Sequence, residues 1–528
     1  MTKLSFLEEC EDEGSARPPF VLTMTELKLL GIAGVGFFLD AYDLFIINPV
    51  ATMLQYRLYG GRSLPSGLES FIKAGANIGS VIGQFAFGFL ADHLGRKAIY
   101  GKELMLIILA TILCISTPTG SLSPDGSLIY LAVFRILLGV GVGGDYPMSA
   151  SVTSDRANLR KRGTLLAYIF ANQGWGSLVG SLVFLIVLAC YRHVMEVRGE
   201  VSKVDGVWRI CVGLSLVPAF GTLYQRLTLA ESSRFLRSRH VEGTTVSEAE
   251  KEKAAAVQKK DVTMREKEKK LQVSDTLSST SVDVGAQSVP AVAQRQAHFH
   301  DFLRYFSEWR HAKILIGTAG CWFLLDIAFY GINLNQNVLL QKIGFDGSSG
   351  ATAWERLFRL AVGNIIITAL GFVPGYYVTV LTVEYLGRKW IQIQGFLLAA
   401  LFLGIMAGMF SELSTASFIV CFALLQFFFN FGANSTTYLY PAEVFPTRYR
   451  ATAHGASAAA GKAGAIISAL AFNALTKDIG TPAVLWIFFG CCIAGAVLTL
   501  LLPEVKGRDP DVVLAREFAE ARRAAGKA

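Results

Sequence analysis

VLWIFFGCCIAGAVLTLLL, residues Val484–Leu502, contains no charged side chain. As a helix rising about 1.5 Å per residue, it comes close to the ~30 Å hydrocarbon thickness of a bilayer. Runs of the same kind lie at Ile366–Val383 and Ile391–Phe410, and counting them along the chain gives about twelve. The composition agrees: 52% of the 528 residues are hydrophobic and 17% charged, with a mean hydropathy of +0.44. An ordinary soluble domain carries about 25% charged residues. The reading is therefore an all-α, polytopic membrane protein. Soluble enzymes, nucleic-acid binders and transmembrane barrels, whose strands alternate over about ten residues, are excluded.

The net charge of +8 is distributed by loop and does not form one nucleic-acid-binding face. Arg96, Lys97 and Lys102 sit in one loop, and Arg156, Arg160, Lys161 and Arg162 two helices later. Arg388, Lys389, Arg448 and Arg450 continue the alternation, which marks the cytoplasmic side. The acidic stretch Met1–Ala16 has no cleavable signal pattern and is expected inside; an even helix count then places both termini in the cytoplasm. Seven of the eight cysteines (Cys114, Cys190, Cys211, Cys321, Cys421, Cys491, Cys492) fall in apolar runs without metal-ligand spacing. They read as small buried apolar residues, and no metal or cofactor is expected.

The apolar pattern breaks once, over 231–311, where EAEKEKAAAVQKK and REKEKK precede a Ser/Thr/Val-rich run. Low apolar content and high charge predict a soluble cytoplasmic linker, partly helical and partly disordered. The expected organisation is an N-terminus 1–26, a six-helix bundle 27–230, the linker, a second six-helix bundle 312–503 and a tail 504–528. The halves repeat each other. FFLDAYDLFIIN around Asp40 aligns with FLLDIAFYGIN around Asp326, DHLGRK (Asp92–Lys97) with EYLGRK (Glu384–Lys389), and DYP (Asp145–Pro147) with LYP (Leu439–Pro441). Three matches in register mark a duplication, and two such halves around a central site imply alternating access by rocking. In GFLADHLGRK, Gly88 permits close helix approach, while Asp92 can face Arg96 or a helix end as a latch. Glu384 and Arg388 hold the same place in the second half, so Asp92, Arg96, Glu384 and Arg388 are the expected gating residues.

Gly143-Gly144-Asp145-Tyr146-Pro147-Met148-Ser149, FLDAYDLF (Phe38–Phe45) and PAEVFPTRYRATAHG (Pro441–Gly455) carry a resemblance across both halves. The chain resembles the major facilitator superfamily and, within it, the phosphate:H+ symporter family of fungi and plants. The resemblance implies twelve transmembrane helices in two pseudo-symmetric six-helix bundles, plasma-membrane residence, a monomer, and proton-coupled phosphate import. Positions matching the family's phosphate site are Tyr146, Gln173, Trp322, Asp326, Tyr330, Asn434 and Lys462; those matching its proton-coupling acids are Asp40, Asp145 and Glu103.

The residues support a related reading on their own. Ionisable groups at mid-bilayer are costly and therefore functional candidates. These are Asp40, Asp43, Glu103, Arg135, Asp145, Asp326 and Lys462. Asp40 and Asp43 stand i,i+3 on the first helix, expected on one face, and with Asp145 lie in the first half, away from Lys462. They could titrate without binding an anion directly. Arg135 reads as a helix-holding pair partner, and the run GVGVGG before Asp145 as close helix packing, since no strand precedes it. Trp322, Asp326 and Tyr330 form an i, i+4, i+8 stripe on the seventh helix; Gln426, Asn430 and Asn434 do so on the tenth. Lys462, alone near the middle of its helix, needs an anion or a carboxylate. A tetrahedral oxyanion would meet Lys462 and donors from Tyr146, Gln173, Trp322, Tyr330 and Asn434. Asp326 would repel that anion unless protonated, and would otherwise pair with Lys462 in the empty site.

Moving a monovalent anion inward against a negative interior costs about 2.3 kcal/mol per 100 mV, so accumulation calls for two or more protons per phosphate. A proton-coupled sugar or polyol symporter, which PAEVFPTR would also fit, an organic-ion carrier, and a phosphate sensor of transporter-like fold are the alternatives. No Walker loop or nucleophile–base pair is present, so primary active transport and catalysis are not expected.

Overall fold

The computed structural model describes residues 18–229, 231–232, 240–241, 293–294, 299–347 and 350–525. Among them are twelve helical spans long and apolar enough to cross a bilayer. In chain order they are α1 (Met24–Tyr59), α2 (Ser66–Leu94), α3 (Arg96–Ile115), α4 (Pro124–Arg156), α5 (Arg162–Cys190) and α6 (Val201–Leu227) in the first half. The second half holds α7 (Trp309–Asn333), α8 (Ala353–Leu386), α9 (Arg388–Gly408), α10 (Thr415–Val444), α11 (Arg450–Asp478) and α12 (Thr481–Leu501). Most of 231–311 and all of 1–17 lie outside the described residues, so the linker and the N-terminus expected there do too. What is described of the linker is an antiparallel two-residue bridge, His240–Val241 with Ala293–Gln294, and a helix Phe299–Phe306. A further helix, Pro510–Ala525, follows α12.

Side chains on the outer surface are apolar: Ile82, Phe85, Leu109, Ile186, Leu370 and Val497 are all exposed, as a lipid-facing belt requires. Inside, helices meet through small residues. A Cβ on Gly79 would lie 1.9 Å from the Ile136 carbonyl oxygen, and one on Gly143 2.3 Å from that of Ser80. The Gly-rich run ahead of Asp145 is thus what brings the α2 and α4 backbones into contact, the packing role read from the sequence.

Several spans are interrupted where polar residues gather. α1 is interrupted at Ile46, α3 at Tyr100-Gly101 (Gly101 φ +96°), and α10 at Phe431-Gly432. A five-residue π-helical stretch, Thr368–Phe372, precedes Pro374 in α8. Such broken helices free backbone groups only where protein surrounds them. Between the halves, α2 packs on α11 and α5 on α8, so the seam runs through the middle of the molecule.

Candidate substrate and proton site

Near mid-membrane seven helices send polar side chains into the seam. Asp40 (α1) accepts at Oδ2 from the Tyr146 hydroxyl (α4, 2.5 Å) and from the Gln173 amide (α5, 2.8 Å). Gln173 also donates to Tyr146 Oη (2.8 Å) and accepts at Oε1 from Tyr376 (α8, 3.0 Å). Asn434 (α10) donates to Tyr376 Oη (2.8 Å) and to Asn430 Oδ1 (2.7 Å). Lys462 (α11), 1% exposed, donates to the Tyr330 hydroxyl (α7) and lies 4.1 Å from the Tyr330 ring centre and 5.1 Å from that of Tyr146. Asp326 is likewise 1% exposed. Its Oδ2 and Asp40 Oδ1 have no hydrogen-bond partner among the described residues. The expected direct Asp326–Lys462 pair is not formed here; the Lys462 ammonium donates to the Tyr330 hydroxyl instead.

Aromatic rings close the cage. Phe45 stacks on Tyr330 (6.2 Å) and meets Phe372 (6.0 Å) on one side; Phe37, Phe170 and Tyr438 cluster on the other, with Phe170 and Tyr438 stacked at 4.5 Å. The Trp322 indole lies against α11 because Gly461 has no side chain: a Cβ there would come within 2.4 Å of it. The predicted substrate positions Tyr146, Gln173, Trp322, Asp326, Tyr330, Asn434 and Lys462 therefore converge, and Tyr376, which the sequence reading missed, joins them. Nothing in its register distinguishes Tyr376 from the neighbouring Tyr377.

Asp40 departs from its expected placement. It shares this cage and hydrogen-bonds two substrate-site residues, and is not set apart from Lys462, because the two halves meet here. Asp43, expected on the same face, addresses another neighbourhood: Arg135 donates to its backbone carbonyl (3.2 Å), and Ser215 lies beside its carboxylate. A separation of i,i+3 turns the two side chains by about 60°, enough to split them between sites. Asp145 and Glu103 come together toward the face bearing the termini, and their partner is Arg226 at the end of α6. Arg226 Nη1 lies 2.8 Å from Asp145 Oδ1 and 3.2 Å from Glu103 Oε1. Arg226 was not read from the sequence, since a basic residue at a cytoplasmic helix end is what topology alone supplies.

The four expected gating residues lie on the face bearing both termini, and three of them reach across the seam. Asp92, at the end of α2, accepts from the Ala451 and Thr452 N–H groups (3.3 and 2.7 Å) and the Thr452 hydroxyl (2.9 Å), capping α11 of the other half. Glu384, at the end of α8, accepts from the Thr164 N–H (3.1 Å) at the start of α5. Arg96 ties Asp92 (3.2 Å) to Asp155 (3.3 Å) and donates to the Thr447 carbonyl across the seam (2.9 Å). Arg388 holds Glu384 (2.8 Å) and Glu443 (2.7 Å) in the second half, and Arg450 pairs with Asp155 across the seam. On the opposite face amides line the seam: Asn48 donates to the Asn333 carbonyl (2.7 Å) and Asn337 to Thr52 (3.3 Å), while Lys73, paired with Glu69 (2.6 Å), donates to Asn335 (3.0 Å). A cavity of about 20 Å³, room for roughly one water, lies beside Asn48 and Asn333. The halves are thus bonded together on both sides of the cage.

Two duplicated six-helix halves, a polar cage at their seam and bonded ends on both sides define a carrier of the major facilitator fold. The chain belongs to the family described as "Sugar (and other) transporter", whose model matches residues 29–512. A Schizosaccharomyces pombe protein whose name contains "inorganic phosphate transporter" is 47% identical over 512 residues, covering 93% of this chain and 88% of its own. The inorganic phosphate transporter PHO84 of Saccharomyces cerevisiae is 39% identical over 524 residues, covering 95% and 85%. Among solved structures, the proton:xylose symporter XylE bound to 6-bromo-6-deoxy-D-glucose shares the fold, with a TM-score of 0.66 at 19% identity over 93% of this chain and 98% of that one.

Proposed function

We propose that this protein imports inorganic phosphate together with protons across the plasma membrane, by alternating access and with both termini in the cytoplasm. The observation that carries the reading is Lys462: a buried ammonium with no carboxylate bonded to it among the described residues, ringed by the hydroxyl, amide and indole donors of Tyr146, Gln173, Trp322, Tyr330, Tyr376 and Asn434. A tetrahedral oxyanion satisfies such a set, whereas a neutral sugar leaves the ammonium without a counter-charge. The names of the relatives point to the same substrate. Asp326 and Asp40 face the anion and can approach it only with protons on board, which links substrate to proton binding. Asp145 and Glu103 act as further proton carriers.

The gate follows from the reciprocal caps. Opening the terminal face pulls Asp92 off the α11 N-terminus and Glu384 off the α5 N-terminus, while the bonds of Asn48, Asn337 and Lys73 hold the other side shut. Opening the opposite face reverses this. Two or more protons per monovalent phosphate make the cycle electrogenic, moving positive charge inward.

Labelled phosphate uptake into proteoliposomes under an imposed inward proton gradient tests this reading, with arsenate and glucose as competitors and a protonophore as control. Gradient-driven uptake blocked by arsenate and indifferent to glucose is expected. Competition by glucose would transfer the site to a sugar porter. Phosphate binding without uptake would make the protein a sensor.

A further inference from the structure

Lys73, in the first turns of α2, is a buried lysine that the cage does not use; it is 2% exposed. Its ammonium donates to Glu69 one turn back (2.6 Å) and, across the seam, to Asn335 Oδ1 just past the end of α7 (3.0 Å). Those bonds leave one of the three ammonium hydrogens without a partner among the described residues. One turn deeper on the same face of α2 is Asn77, 0% exposed, with neither its amide nitrogen nor its carbonyl oxygen bonded among the described residues. A buried carboxamide with both atoms idle is costly, and calls for a partner that arrives in another state of the cycle.

Register places both residues on the way to the cage. α2 and α11 run antiparallel: a Cβ on Gly455 would lie 2.2 Å from the Gln84 carbonyl oxygen, and nearer the opposite face Asn473 donates to Ser70 (3.4 Å). Lys462, between Gly455 and Asn473, is therefore level with the turn of α2 around Ser80. Asn77 lies about one turn, and Lys73 about two turns or ~10 Å, nearer the opposite face. An anion coming from that face meets Lys73, then Asn77, then Lys462. The other polar groups presented here, Ser70, Asn335 and Asn473, are neutral. Glu69 is the one acid on the page at this level; it sits at the rim, its side chain 20% exposed, in an i,i+4 pairing of the weak kind.

We infer that Lys73 and Asn77 form a second anion site, a loading subsite that takes inorganic phosphate at the opposite face and hands it on to the cage. In the closed seam Asn335 occupies the ammonium. Parting the seam at this face removes Asn335 and frees a second hydrogen for a phosphate oxygen. Asn77 completes the subsite: its N–H donates to a bare oxygen, and its carbonyl accepts from a hydroxyl of the monoanion, so both idle atoms are used. The inference rests on the phosphate-symport reading and adds a site to it.

The test disables the cage first. In Lys462→Ala, full chain in nanodiscs, titration with inorganic phosphate should still show one weak site. Adding Lys73→Gln should weaken that site by about ten- to a hundredfold, the effect of a lost charged hydrogen bond, and adding Asn77→Leu should weaken it several-fold. Adding Glu69→Gln should act in the opposite sense and tighten it, because the ammonium is released from its carboxylate; damage to packing would not produce that sign. With the cage intact, Lys73→Gln should slow phosphate association about tenfold and Glu69→Gln should speed it, as electrostatic capture requires. No phosphate site in Lys462→Ala, a site indifferent to Lys73→Gln, or weakening by Glu69→Gln would overturn the inference. Where a lysine variant does not fold, Glu69→Gln at the rim of the unmodified cage still decides: slower or unchanged association refutes the subsite. Absence of phosphate binding to the unmodified protein would instead overturn the reading beneath it.

Discussion

Replacing Asp92 by alanine removes one of the two caps that reach across the seam, and its effect can be worked out from the bonds lost. Asp92, 5% exposed, accepts two backbone N–H groups and a hydroxyl from α11. Loss of an N-cap costs about 0.5–2 kcal/mol, and hydrogen bonds to a charged group contribute about 1.5–3 kcal/mol each, less than additively. Because Arg96 keeps its bond to the Thr447 carbonyl, the seam is weakened and not abolished. A shift of about 2–3 kcal/mol toward the state open at the terminal face is expected, or roughly 30- to 150-fold in the open-to-closed ratio. Asparagine caps a helix about as well as aspartate, so Asp92→Asn should shift the ratio by only about fivefold, through the lost charge. Spin labels at the exposed positions Ala98 and Trp390, one in each half on this face, report the separation by pulsed electron paramagnetic resonance. Glu384→Ala, the symmetric partner, should open the same face. If Asp92→Ala lowers thermal stability yet leaves the distance distribution unchanged, the cap holds the fold and not the gate. If Asn opens the face as far as alanine does, the helix-cap argument fails.

Lys462→Ala removes the cage's cation and should weaken phosphate binding more than about 100-fold, since breaking a buried charge arrangement costs about 3–5 kcal/mol; equilibrium binding without a pH gradient measures it. Gly461→Ala places a methyl where the Trp322 indole lies and should raise the KM for phosphate about tenfold, the effect of roughly 1.4 kcal/mol of displaced contact, with the coupling ratio unchanged. Tyr376→Phe deletes the hydroxyl between Gln173 and Asn434; with two buried amides each losing a partner, affinity should fall by about 5- to 30-fold, read in the same binding assay.

Much of this architecture was open to reading because a bilayer imposes a length on every span and a price in free energy on every interior charge. Val484–Leu502 could only be a crossing helix, and Lys462 and Asp326 stood out because hydrocarbon tolerates few such groups. Register along one helix was also legible: Trp322, Asp326 and Tyr330 do share a face. What crosses between helices was not. Asp40 meets the Lys462 cage across a seam with no local signature, and Asp43, three residues on, turns to Arg135 instead. Arg226 was hidden for a different reason. Its position at a helix end is what the distribution of basic loop residues predicts anyway, and only the fold-back onto Asp145 shows that it is buried.

The duplication carries more of the mechanism than any single residue. DHLGRK and EYLGRK repeat an acid at the end of α2 and of α8, and each acid caps the opening helix turn of the other half, at α11 and α5. A contact of this form cannot be satisfied within one half, so the repeated motif stabilises only the closed terminal face. The opposite face has no such repeat and is held by the neutral amides of Asn48 and Asn337, whose bonds are individually weaker, together with one charge-assisted bond from Lys73 to Asn335. Opening the charged end must therefore break the six bonds that Asp92, Glu384, Arg96 and Arg450 make across the seam.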